Sequence, residues 1–249
     1  MPLALVTGPT SGIGHGFAQA LAAEGHDLML VSRDRTRLDK VAAELAERHG
    51  VACDVIAADL ADLDQTKVVE AWLADHPVDV LVNNAGFGKR KPFEANDIES
   101  EQESFDVLVR AVMRLTHAAL GPMLERGHGD IVNVSSVAGF VPRGTYGAHK
   151  AWVTSFSRWA HLRYKRQGVR VVAVCPGFVR TEFHQRMDAN ISGIPGFMWL
   201  QADDVVGQAL ADLRAGKAIS IPSFRWKALM AVSRLTPSGL VERVARRGR

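Results

Sequence analysis

Seven short apolar runs recur along the chain: LALVTG, DLMLVSR, VACDVIAAD, VDVLVNNAG, DIVNVSS, VRVVAVCPG and AISIP. Amphipathic stretches separate them. Several runs are apolar at consecutive positions, as expected of strands covered on both faces in a parallel sheet. The stretches between them keep a helical period. In DRTRLDKVAAELAERHG, Leu38, Val41, Ala42 and Leu45 fall at i, i+3, i+4 and i+7, with Asp34 placed to cap the helix and Gly50 to end it. Strand and helix alternating in this way predict βαβ units and an α/β fold, a doubly wound parallel sheet of seven strands in a single domain spanning residues 1–249.

Two stretches break the alternation. Residues 182–201, EFHQRMDANISGIPGFMWLQ, are rich in Phe, Met, Ile and Trp and carry glycine and proline. They are read as a flap over a substrate, the alternative being an irregular loop tucked onto the core; long excursions inside compact domains usually carry function. The second stretch is the end of the chain, 224–249, whose KALMAVSRL portion has a helical pattern. From Arg225 onward it holds seven basic residues (Arg225, Lys227, Arg234, Arg243, Arg246, Arg247 and Arg249) against the single acid Glu242. That tail is net +6 on a body of net −3, so the chain's +3 belongs to its tail. Anionic lipid, another subunit or plain solvent would each suit such an end. Nucleic acid would not, because the body is acidic and no DNA-binding motif occurs.

Composition narrows the class. A hydrophobic fraction of 47% and a charged fraction of 23% are those of an ordinary globular protein and exclude disorder for most of the chain. MPLALVTGPTSG has no basic leader and does not read as a signal peptide. No window holds the roughly 18 uninterrupted apolar residues of a membrane span. The two cysteines, Cys53 and Cys175, form no CxxC pair and fall in strand runs, which fits a reducing, cytoplasmic location. No metal is expected.

The chemistry begins at TGPTSGIG, Thr7 to Gly14, between the first strand and the first helix. Glycine there permits close backbone approach, and the helix N-terminus offers free N–H groups and partial positive charge to a pyrophosphate. Gly8, Thr10, Ser11, Gly12, Ile13 and Gly14 are the candidate contacts. At the end of the second strand stand Ser32 and Arg33, with no carboxylate at the tip. An acid there would bind a ribose hydroxyl and repel a 2′-phosphate, whereas Arg33 can pair with that phosphate, so NADP is favoured over NAD. Asp34 is assigned to the helix cap. Farther on, YGAHK sets Tyr146 and Lys150 one helical turn apart on one face.

With TGPTSGIG, LVNNAG (81–86), VSS (134–136), YGAHK and CPGFVRT (175–181) in that order, the chain resembles the short-chain dehydrogenase/reductase family over about residues 3–181. It looks like the single-domain branch with TGxxxGxG, since Ser11 stands where extended relatives carry glycine. The resemblance implies a Rossmann-like sheet and hydride transfer between a nicotinamide and a carbonyl or alcohol. Tyr146 would be the acid–base residue. Lys150 would bind the nicotinamide ribose and lower the phenol's pKa from about 10, and Ser136 would hold the reacting oxygen. Ser135 should point to the other side of the strand. Further cofactor contacts carried over are Asp59, Leu60, Asn84, Ala85, Gly86, Pro176, Gly177, Val179 and Thr181. Asn83 more naturally ties strands together, and His15 and His149 have no family role.

Three departures qualify the resemblance. The family's helical asparagine, which supports a water contacting the lysine, is matched by Leu108 in FDVLVRAVMRLTHAAL. Either another group holds that water, the relay is rerouted, or turnover is slow. The segment from Ser136 to Tyr146 spans ten residues, shorter than usual, and it borders the substrate pocket. The glycine-rich terminal strand of many relatives is replaced by the basic tail. The reading is therefore an NADP-linked reductase acting on a small, apolar carbonyl or alcohol substrate and forming a homodimer or homotetramer. Dimerisation through the helices holding Leu108 and Tyr146 is implied by the resemblance. The rival reading is a dinucleotide-binding sensor, or a weakly active relative. Leu108 supports it, and the joint presence of Ser136, Tyr146 and Lys150 opposes it.

Overall fold

The computed structural model describes residues 1–89, 91–142, 144–182 and 195–235. All seven apolar runs form strands of one parallel sheet: β1 (Leu3–Thr7), β2 (Asp27–Ser32), β3 (Cys53–Ala57), β4 (Val80–Asn83), β5 (Gly129–Val134), β6 (Val169–Val174) and, last in the chain, β9 (Ile219–Ser220). Their order across the sheet is β3-β2-β1-β4-β5-β6-β9. The chain winds one way from β1 and then returns to the other side of it at β4. The loops leaving those two strands diverge and open a crevice at their carboxyl ends, where ligands of such sheets bind.

Alternate strand residues supply two cores. Ala4 and Val6 of β1 pack with α1 (Gly12–Ala23), α2 (Arg35–His49) and α7 (Ala202–Arg214). Leu5 faces the opposite layer, with α3 (Leu63–Asp75), α5 (Ala111–Arg126) and α6 (Gly144–Tyr164). Each buried Leu or Val stabilises the fold by about 1.5–3 kcal/mol relative to exposure. Asp34 caps α2 by accepting from the Arg37 N–H at 3.0 Å, and Gly50 ends it at φ 69°. Asn83 ties β4 to its neighbours: its Nδ2 donates to Asn133 Oδ1 at 2.9 Å and Thr116 Oγ1 at 3.1 Å. Asn133 Nδ2 in turn donates to Ser157 Oγ at 2.9 Å.

A helix α4 (Ile98–Phe105) passes through a π turn, Asp106–Arg110, directly into α5. By length and composition the combined helix could cross a membrane, with a mean hydropathy of 1.2 over its most apolar window. Half of that window is buried in the protein, and the helix serves as a core element of the second layer.

The excursion expected over 182–201 is fastened at its base. A short parallel pair, β7 (Phe178–Val179) with β8 (Trp199–Leu200), joins its two ends, and Arg180 N donates to Leu200 O at 3.0 Å. The last described helix, α8 (Phe224–Leu235), adds a second attachment: Trp226 Nε1 donates to Met198 O at 3.1 Å while its ring lies against Gly177. Phe183 and Met187, which were expected in the flap, lie outside the described residues, as does the tail beyond residue 235. Cys53 opens β3; burial first, then Asp27 and Asp54, pushes its thiol up to about 11. Cys175 follows β6 and is fully buried. Neither cysteine is in a disulfide.

Candidate active site

The β1–α1 turn is held by β4. Thr7 Oγ1 accepts from the N–H groups of Asn84 and Ala85, each at 2.9 Å. Asn84 Nδ2 returns the attachment by donating to Thr7 O at 3.0 Å and Gly8 O at 3.1 Å. Position 14 must be glycine in this arrangement, because a Cβ would overlap both Asn84 Nδ2 and Gly8 O. Asn84 was expected to line the adenine and ribose, and its Nδ2 also shapes the turn. Ser11 sits extended at the N-cap of α1 and makes no side-chain capping bond. The first-turn N–H groups of Gly12, Ile13 and Gly14 therefore have no side-chain cap. Thr181 packs on Gly12, laying the segment after β6 across the turn.

At the tip of β2, Ser32 Oγ is buried and bonds to no group among the described residues. Arg33 is exposed, 3.7 Å from both Asp59 and Glu103. The expectation of a tip without a carboxylate holds for β2 itself, but Asp59 arrives from the end of β3. Its Oδ1 accepts from the Ala61 N–H at 3.0 Å, which holds the carboxylate in place. Leu60 and Val179 are core residues whose side chains are buried; any cofactor contact they make is through the main chain. Pro176 O accepts from Val137 N at 3.0 Å and fixes the turn carrying Ser136.

Tyr146 and Lys150 share one face of α6, with the lysine Nζ 5.8 Å from the phenol ring centroid. Ser136 hydrogen-bonds the phenol, and its Oγ accepts from Ala138 N at 3.1 Å. Ser135 turns the other way: it donates to Lys150 O at 2.7 Å and contacts Thr154 Oγ1 at 2.8 Å. The loop between Ser136 and Tyr146 can be short because it lies flat on the helix. A Cβ on Gly139 would stand 2.8 Å from Lys150 C and Ala151 N, closer than any side chain allows.

The electrostatics differ from expectation. Burial pushes the Tyr146 phenol up to about 12, opposed by its bond to Ser136. Burial also pushes the Lys150 ammonium down to about 8, opposed by Cys175. The lysine Nζ donates to Val134 O at 2.7 Å, and desolvation is the largest influence on the phenol. Leu108 lies in the π turn and is fully buried. Its methyl and Lys150 Nζ crowd the same point beside Gly86, at 2.8 and 4.0 Å from where a Cβ would stand.

A family model described as short chain dehydrogenase matches residues 2–192. The chain belongs to the short-chain dehydrogenase family. Within it, the chain is 34% identical to a short-chain dehydrogenase from Sphingobium yanoikuyae solved in complex with NADPH, with a TM-score of 0.86 and 94% of each chain covered. It is 33% identical to a bulky-bulky ketone specific alcohol dehydrogenase from Comamonas testosteroni, with a TM-score of 0.82 and 94% and 92% covered. It is also 37% identical over 187 residues to a very-long-chain 3-oxoacyl-CoA reductase from Anas platyrhynchos, covering 72% of this chain and 60% of that protein. The chain thus spans about 60% of the length of the curated relatives it matches.

Two features of this short-chain dehydrogenase escaped the sequence reading: Gly139, which seats the serine loop on α6, and Trp226, which joins Gly177 to the excursion. The spacing of VAGF before YGAHK was a visible sign of the first. Nothing in the sequence marked Trp226 apart from other apolar helix positions.

Proposed function

We propose that this protein is an NADPH-dependent carbonyl reductase of apolar ketones, reversible as an alcohol dehydrogenase. The observation that carries the proposal is Ser136, Tyr146 and Lys150 assembled at the crevice whose floor is the glycine turn. The cradle fits a dinucleotide. Gly14 lets Gly8 and Asn84 close the turn tightly, the first turn of α1 would offer its free N–H groups to a pyrophosphate, and the buried Ser32 hydroxyl and exposed Arg33 suit an adenosine 2′-phosphate. Residues Gly8, Thr10, Ser11, Gly12 and Ile13, the main chain of Ala85 and Gly86, and Thr181 complete that cradle. When bound, NADPH supplies the hydride, and its oxidised ring carries the positive charge that brings the phenol's pKa down.

The chain's own groups handle the oxygen and the proton. Ser136 Oγ fixes the substrate oxygen, Tyr146 Oη gives it a proton, and the Lys150 ammonium stabilises the phenolate left behind. Phe197 and Met198, whose carbonyls accept from Arg225 and Trp226, supply an apolar wall. The names of the relatives, one acting on bulky ketones and one on 3-oxoacyl-CoA, agree with an apolar substrate. A second copy of the chain fits across α5 and α6, which expose Met113, Trp159 and Leu162. Cysteines outside any disulfide suit a cytoplasmic location, and the exposed Phe224 beside Arg225 and Lys227 suits contact with an anionic membrane surface.

The test is NADPH oxidation, followed at 340 nm, against bulky aryl ketones and long-chain 3-oxoacyl-CoA thioesters. Turnover of any of them, lost in Tyr146→Phe with NADPH still bound, supports the proposal. Leu108 favours a second reading, a dinucleotide sensor; it predicts tight NADPH binding with no turnover across the whole panel.

A further inference from the structure

Three buried polar atoms between α4 and α6 bond to no group among the described residues: Glu101 Oε2, Ser104 Oγ and His149 Nδ1. Ser104 is wholly buried and Glu101 is 6% exposed. Such atoms are costly unless they bind water or take part in chemistry. They are not scattered. Glu101, Ser104 and Leu108 follow one another at i, i+3 and i+7, so all three lie on one face of the same helix. His149 comes from α6 and meets that face, its ring edge-on to Phe105 at a centroid distance of 5.7 Å. On its own helix it stands three residues after Tyr146 and beside Lys150. Leu108 itself presents only methyl groups to the lysine. The polar capacity that this helix lacks at position 108 is therefore present one and two turns earlier.

We propose that Glu101, Ser104 and His149 form a proton-supply site for the Tyr146–Lys150 pair, holding water between α4 and α6 in place of the missing asparagine. The proposal rests on the carbonyl-reductase reading above. In reduction, Tyr146 Oη loses a proton to the substrate oxygen and regains one from the Lys150 ammonium. The lysine is reprotonated through water bound at His149 Nδ1 and Ser104 Oγ, and Glu101 connects that water to solvent. One proton is taken from solvent for each carbonyl reduced, and the hydride comes from NADPH.

The neighbouring charges permit this arrangement. Glu101 Oε1 accepts from Asn96 Nδ2 at 2.6 Å, which leaves Oε2 for the site. Asp106 is engaged by Arg110 and Gln102, Glu103 by Arg33, and Lys89 by Ser100. Among the described residues, Glu101 and Lys150 are the charges acting on the imidazole. Burial, with Lys150 behind it, lowers the His149 pKa and Glu101 raises it. A largely neutral ring that both accepts and donates is suited to pass a proton on.

Two measurements test the proposal. The first needs no substrate: the His149 ring is titrated by NMR in the wild type and in Glu101→Gln. A midpoint that falls in the variant supports the cluster; an unmoved midpoint overturns it. The second uses the aryl ketone that supports the fastest NADPH oxidation, with His149→Phe, Ser104→Ala and Glu101→Gln. The expected result is a several-fold lower kcat, a larger solvent isotope effect and a shifted pH profile, with KM and NADPH affinity unchanged. Adding Leu108→Asn to His149→Phe should restore much of the rate. An unchanged isotope effect and pH profile, or NADPH affinity that falls together with kcat, overturns the proposal. If no ketone is reduced at all, the reductase reading fails while the NMR arm still decides whether the cluster exists.

Discussion

Lys150→Met should make the protein inactive and, near neutral pH, more stable. The ammonium is fully enclosed and its pKa falls from 10.5 to about 8. Each pKa unit corresponds to 1.36 kcal/mol, so holding that charge in the fold costs roughly 3 kcal/mol below pH 8. Methionine fills similar space without the charge but forfeits the bond to Val134 O, a loss of about 1–2 kcal/mol. A net gain of about 1–2 kcal/mol remains, which corresponds to roughly 2–8 °C in Tm for a chain of this size. The pH dependence has a definite sign. Below pH 8 the lysine is protonated in both states and the full penalty applies. Between about 8 and 10.5 the folded lysine is neutral while the unfolded one still holds its proton, so the penalty fades as pH rises. Urea unfolding of both proteins without cofactor, at pH 7 and pH 9.5, measures the difference. The variant should lead at pH 7 and lose that lead at pH 9.5. An equal deficit at both values would mean that the ammonium is not desolvated and that the argument is wrong.

Arg33→Ala should weaken NADPH binding about 10- to 100-fold, the worth of one or two charge-assisted hydrogen bonds, and leave NADH binding nearly unchanged; fluorescence titration with both cofactors reads this. Gly139→Leu should push the serine loop off α6 and depress kcat at least tenfold, with NADPH affinity kept, as measured by steady-state kinetics beside a cofactor titration. Ketone reduction should decline as pH rises through about 8, where Lys150 loses its charge, and Lys150→Arg should move that limb upward if it retains activity.

Much of this was legible before any coordinate. The seven strands and the helix caps at Asp34 and Gly50 follow from periodicity and local turn chemistry, which act over a few residues. The Tyr146–Lys150 pair follows from helical spacing alone. What was hidden depends on desolvation or on long-range packing. No pattern in YGAHK shows that burial would raise the phenol to about 12. That the Asn84 amide also shapes the glycine turn is not visible from its place in NNAG. Only the chain's return at β4 shows that its amide is used by Thr7 and Gly8. The pairing of β7 with β8 joins segments some twenty residues apart, and two-residue strands leave no periodic trace. His149 looked like an ordinary helix residue until α4 was seen packed against it.

The most direct test follows a single turnover in wild type and in Tyr146→Phe, each preloaded with NADPH and mixed with an aryl ketone that the wild type reduces. The phenol bonded to Ser136 predicts rapid loss of absorbance at 340 nm in the wild type only, with NADPH fluorescence showing the cofactor equally bound in both. Oxidation of NADPH by the phenylalanine variant at the wild-type rate would contradict Tyr146 as the proton donor.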